Sequence, residues 1–143
     1  MTHVPTAPDL EPRVADLIRG LRKTVDDGKL RGSLLNQKRS EEAGRYTTAG
    51  GALVVVHAKV HHVEKYVGLP TPGYEQRVTV GAVAECHGNG CIGPTFQQED
   101  KTIRLLHEDA DETADRVTAP VQAARQWAQS HAEKCRAQAY SDR

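Results

Sequence analysis

Apolar residues recur at helical spacing near the start of the chain. Leu10, Val14, Leu17, Ile18, Leu21 and Val25 step by three and four, which places them along one face of a helix. Asp9 suits its N-cap, Pro12 is tolerated in the first turn, and Asp26, Asp27 and Gly28 supply the stop. Residues 1–8, with Pro5 and Pro8, read as a flexible lead-in. A second helix is predicted from Ser33 to Tyr46, with Leu34, Leu35 and Ala43 opposite a polar face. In residues 47–67 the branched side chains suit a strand, yet Leu53, Val56, Val60, Val63 and Val67 again step by three and four. The spacing predicts a third helix there.

The segment LPTPGYEQ, residues 69–76, carries two prolines and a glycine and reads as a linker. Beyond it the period changes to two. Val78, Val80, Ala82, Ala84 and Cys86 share one face of a predicted strand, while Thr79, Gly81, Val83 and Glu85 share the other. Asn89-Gly90 is a turn signal, and CIGPTF is expected to return as the partner strand. A polar, acidic stretch follows to about Thr118, and Pro120 opens a final helix running to about Ala139. The pattern predicts an α+β protein in two units. A helical unit spans 9–68, and a hairpin with a C-terminal helix spans 77–140.

Composition makes that second unit hard to close by packing alone. Only 38% of the 143 residues are hydrophobic, with a single Trp and a single Phe. Three cysteines are an odd number for a disulfide framework and fit a metal site or free thiols in a reducing compartment. Cys86 and Cys91 flank the glycine-rich turn CHGNGC, a spacing suited to half of a structural zinc site. His131 and Cys135, four apart on the last helix, would supply the other half from one face. Trp127 lies one turn before them. His87 is a rival fourth ligand, but it adjoins Cys86, and adjacent side chains rarely aim at one ion. Four protein ligands would leave no open position, so this zinc is expected to be structural. The plainer alternative is a labile disulfide or free thiols at Cys86 and Cys91.

CHGNGC on a hairpin followed by WAQSHAEKC on a helix resembles a Cys-Cys-His-Cys zinc finger of hairpin-plus-helix type. It is similar, too, to small proteins encoded on bacterial mobile elements that end in a helical His-x-x-x-Cys. The resemblance covers residues 77–140 and implies Cys86, Cys91, His131 and Cys135 as ligands. The gap of thirty-nine residues between Cys91 and His131 departs from the compact finger, where about twelve is usual. In the N-terminal half, DDGKLRGSLL between two predicted helices resembles the opening of a GntR-type winged helix, through Gly28, Lys29, Leu30, Gly32, Ser33 and Leu35. That resemblance implies DNA contacts from Arg31, Lys38, Arg39 and Arg45.

Charge points the same way only locally. Nineteen basic residues balance nineteen acidic ones, so overall charge argues neither for a general polyanion binder nor for a membrane-surface protein. Residues 13–45 nevertheless hold nine Lys or Arg against five acids, and residues 99–115 seven acids against two bases. His57, His61 and Glu64 would align on a helix as a second metal site, but Ala58 stands where a zincin needs glutamate. No stretch reaches the apolar length of a membrane span, so cytoplasm is the default expectation. The sequence therefore predicts a small, non-enzymatic, zinc-binding accessory or regulatory protein that contacts duplex DNA through its basic half. The alternative is a protein-interaction adaptor or self-associating structural protein using the acidic 99–115 segment, and a metal-dependent hydrolase stands third.

Overall fold

The computed structural model describes residues 10–27, 36–68, 70 and 72–139. It is a mixed α+β fold: an N-terminal helix, a five-stranded antiparallel sheet and a C-terminal helix. Helix α1, Leu10–Asp26, forms where the spacing requires it and buries Leu10, Val14, Ala15, Ile18 and Leu21. Asp9, expected as its cap, lies outside the described residues.

Both further helices expected in the N-terminal half are strands. Strand β1 is Asn36–Thr47 and β2 is Leu53–Val67, paired antiparallel. In β2, Val54, Val56, Ala58, Val60 and His62 are each 0% exposed, a strict two-residue period. The apparent helical stripe divides between the two faces, with Val56 and Val60 inside and Leu53, Val63 and Val67 on the other side. Branched side chains, stiff at χ1, fit a pleated surface better than a helix. β1 carries few apolar residues of its own, and its pairing with β2 overrides the polar helical pattern. The helix-turn-helix arrangement that the winged-helix resemblance implies is thus not formed, because a strand occupies 36–47.

Residues 73–76 of the expected linker, 69–76, lie within a strand. β3, Gly73–Cys86, runs antiparallel to β2 in a ladder from Val67↔Gly73 to Val54↔Cys86. The two expected units accordingly share one sheet and one core. In β3, Val78, Val80, Ala82, Ala84 and Cys86 face the core as their alternation predicts. β4, Gly88–Asn89, leads into the Gly90 turn at φ +78°. The returning strand β5 is Thr95–Glu99, starting four residues later than expected; the Pro94 carbonyl still accepts from the Cys86 amide at 2.7 Å, but proline has no N–H to return. β5 and the short β6, Arg104–Leu105, both pair with β3, giving the order β1-β2-β3-β5.

Helix α2, Ala110–Asp115, is capped by the Asp109 carboxylate. Helix α3, Thr118–Lys134, is shorter than predicted, because Cys135 leaves it in extended conformation and residues 138–139 become β7, paired with β4. α1 and α3 pack on the same face of the sheet, and among the described residues no helix covers the other face.

The two segments of opposite charge lie against each other at the surface of the fold. Arg19 reaches Asp111 at 2.9 Å, Arg22 donates to the Leu106 and Glu108 carbonyls, and His107 lies 2.8 Å from Asp26. Arg19 and Arg22 of the basic segment are thereby engaged by the acidic one. Within the acidic segment itself Arg104 pairs with Glu112 at 3.1 Å. No helix among the described residues is long and apolar enough to cross a membrane.

Leu21 is fully buried where α1 meets the sheet. Leu21→Ala is expected to destabilise the fold by about 2–5 kcal/mol. Urea denaturation should show a lower midpoint with an unchanged slope, and a shift of a few tenths of a kcal/mol would contradict this core.

Candidate metal centre

Four residues from two segments far apart in sequence converge at one end of the sheet. Cys86 is the last residue of β3, Cys91 follows the β4 turn, His131 sits in the last turn of α3, and Cys135 caps that helix. Their ligand atoms all lie within 4.8 Å of one another, a group that could hold a metal ion. Cys91 Sγ is 3.3 Å from His131 Nε2 and 3.7 Å from Cys135 Sγ. Cys86 is buried, and the other three are half-buried. His87, the rival ligand, stands outside the group, with its amide bonded to the Leu53 carbonyl at 2.8 Å.

Local structure explains the convergence. The Cys135 amide bonds the His131 carbonyl at 2.8 Å, so these two donors are one helical turn apart even though the helix stops between them. Behind His131 the Trp127 ring stacks at 4.6 Å and 14°, and Phe96 of β5 stacks on Trp127 at 6.0 Å. The imidazole is thus oriented from the sheet through two aromatic rings. Phe96 was missed in sequence; as the lone Phe, opposite Ala84 on β3, its only signal was its rarity.

A second clasp lies alongside. The Thr48 hydroxyl accepts from the Ala52 amide at 2.8 Å and donates to the Ala137 carbonyl at 3.2 Å, and the Ala49 amide bonds the Ala132 carbonyl at 2.9 Å. The β1–β2 turn therefore grips the end of α3 and the segment beyond Cys135. Gly88 is packed so closely that an added Cβ would lie 2.5 Å from Ala137 Cβ and 3.3 Å from Cys86 Sγ.

Crowding shapes the acidity of the thiols. The Cys91 thiol is pushed up to about 12, first by desolvation, then by hydrogen bonding with Cys135 and Cys86 and by repulsion from them. A cation among the sulfurs reverses that preference, because a coordinating thiol is deprotonated.

The remaining candidates are not brought together. His57 and His61 share one face of β2 while Glu64 is on the other, so the helical trio does not form. His61 Nε2 lies 2.6 Å from Asn36 Oδ1, and Glu64 accepts from Gln76 at 2.8 Å. Lys38, Arg39 and Arg45 are exposed on β1, with Arg45 held by Glu42 at 2.8 Å. Arg31 lies outside the described residues. No family model matches the chain, and no curated protein or solved structure does either.

Two outcomes follow from the packing and the thiol acidity. Gly88→Ala should cost about 1–3 kcal/mol through overpacking and weaken metal binding, read by competition with a chromophoric chelator. Ligand thiols must lose their protons, so affinity falls as pH falls; adding metal to metal-free protein near neutral pH should release about three protons per site. Titration without proton release would contradict thiolate coordination.

Proposed function

We propose that the protein is a non-enzymatic interaction module, stapled by a structural zinc ion, that binds protein and not nucleic acid. The donor set supports the metal's identity. Tetrahedral zinc with bonds of about 2.3 Å to sulfur and 2.0–2.1 Å to nitrogen sets ligand separations of about 3.7 Å and 3.5 Å. The 3.7 Å between Cys91 and Cys135 and the 3.3 Å from Cys91 to His131 fit those edges. A disulfide would need about 2.05 Å between sulfurs. Three thiolates and one imidazole fill the tetrahedron, so such a zinc has no position for substrate or water.

The observation that carries the choice of partner class is the internal pairing of charge. Arg19 and Arg22 of the basic half are engaged by the acidic segment, and Arg13 is held by Glu41 at 2.8 Å. A phosphate backbone would have to compete with these contacts. The sheet face opposite α1 and α3 is mixed in sign: a depression of about 420 Å³ there is lined by Lys38 and Lys59 but also by Glu85 and Glu99. Such a surface repels a polyanion about as much as it attracts one.

The test has two arms. Metal analysis should find one equivalent of zinc, lost in Cys86→Ser, and strong chelator should lower the melting temperature of the wild-type chain. An unchanged melt in chelator would overturn the structural zinc. In fluorescence anisotropy against duplex DNA, affinity should stay negligible even at low salt; binding with a steep salt slope would restore the nucleic-acid reading.

A further inference from the structure

β1 is an edge strand. Among the described residues its only strand partner is β2, so the outer backbone groups of residues 36–42 face no other strand. Such a row of amides and carbonyls is a template for another strand. The bulge between Glu42 and Gly44 ends the regular stretch, and the Ala43 carbonyl beyond it accepts from Arg125 Nε at 2.9 Å.

The charges of this stretch mirror one another in sign. Lys38 and Arg39 precede Ser40, and Glu41 and Glu42 follow it. We propose that β1 pairs antiparallel with β1 of a second copy of this chain, about a twofold axis through Ser40 and perpendicular to the sheet. The inference rests on the reading that the module binds protein, and it names that partner. In this register Lys38 stands opposite Glu42 of the second copy and Arg39 opposite its Glu41, each pair occurring twice by symmetry.

Neighbouring registers are disfavoured. A perpendicular axis keeps opposite residues on the same face, so the axis can move only by whole residues. One residue earlier, Arg39 meets Arg39; one residue later, Glu41 meets Glu41. Like charges directly opposite repel, whereas unlike charges attract. The Ser40 register alone joins opposite charges throughout.

The side chains are available for it. Lys38 and Arg39 have no carboxylate partner among the described residues and are exposed. Glu41 and Glu42 already hold Arg13 and Arg45, each at 2.8 Å, and a carboxylate has acceptor sites left for a second cation. Pairing would run one continuous sheet through both copies, with both helical layers on the same side.

Sedimentation velocity on the full, zinc-loaded chain tests the proposal. From micromolar to millimolar concentration the wild-type mass should rise from one chain to two. K38E/R39E and E41K/E42K should each weaken self-association by about tenfold or more. Mixed together, the two variants present opposite charges at all four positions, and the dimer should return. A wild-type chain that stays monomeric, a variant that associates as well as wild type, or a mixture that fails to pair would each overturn the dimer. If E41K/E42K, which also loses the Arg13 and Arg45 pairs, does not fold, K38E/R39E decides alone. A monomer without DNA affinity sinks the dimer and leaves the protein-binding reading standing; DNA affinity with a steep salt slope sinks that reading whatever the mass.

Discussion

Helix α3 meets the sheet through a face made mostly of alanine. Its buried residues are Pro120, Val121, Ala124, Ala128 and Ala132, and small side chains remove little apolar surface from water. α1, by contrast, buries Leu10, Val14, Ile18 and Leu21. The last two turns of α3 therefore depend on the cluster of Cys86, Cys91, His131 and Cys135, with the Thr48 clasp beside it. A metal ion held there would tie the end of β3 to the end of α3, two points that packing alone holds weakly.

That dependence arranges much of the surrounding structure. The alanine face lets α3 approach closely enough for His131 to reach the knuckle. Trp127 and Phe96, the largest apolar side chains near it, are stacked in line behind the imidazole. The close packing at Gly88 and the β4–β7 pairing bring the chain after Cys135 back over the knuckle. Cys86 is thereby buried at the inner side of the site, while Cys91, His131 and Cys135 stay half-buried.

Electrostatics acts differently, by removing surfaces from use. The two segments whose charge stood out in sequence lie against each other, so α1 and the acidic residues around α2 are partners within the fold. Exposed ion pairs of this kind contribute little to stability individually, but they decide what is left for a partner. What is left includes the sheet face opposite α1 and α3 and the edge of β1, where Lys38 and Arg39 lack carboxylate partners among the described residues.

Legibility in the sequence followed whether a signal was local. α1 and β3 were readable because one face of each is buried, so the period shows in the residues themselves. The four metal donors were readable for a related reason: short spacings, Cys86 to Cys91 and His131 to Cys135, report local geometry even when the pairs are distant. β2 was misread because Leu53, Val63 and Val67 are partly accessible valines and leucine on the second face, which added a false helical step to a true two-residue period. β1 carried almost no apolar signal, since its conformation comes from hydrogen bonds to β2. The sequence by itself determined the local periods, the turn at Asn89-Gly90 and the chemistry of the donor set. Only the tertiary structure decided that β1, β2, β3, β5 and β6 form one sheet with α1 and α3 on one face, and that α1 lies against the acidic segment around α2. Strand pairing and charge pairing join residues distant in sequence, and no local pattern records them.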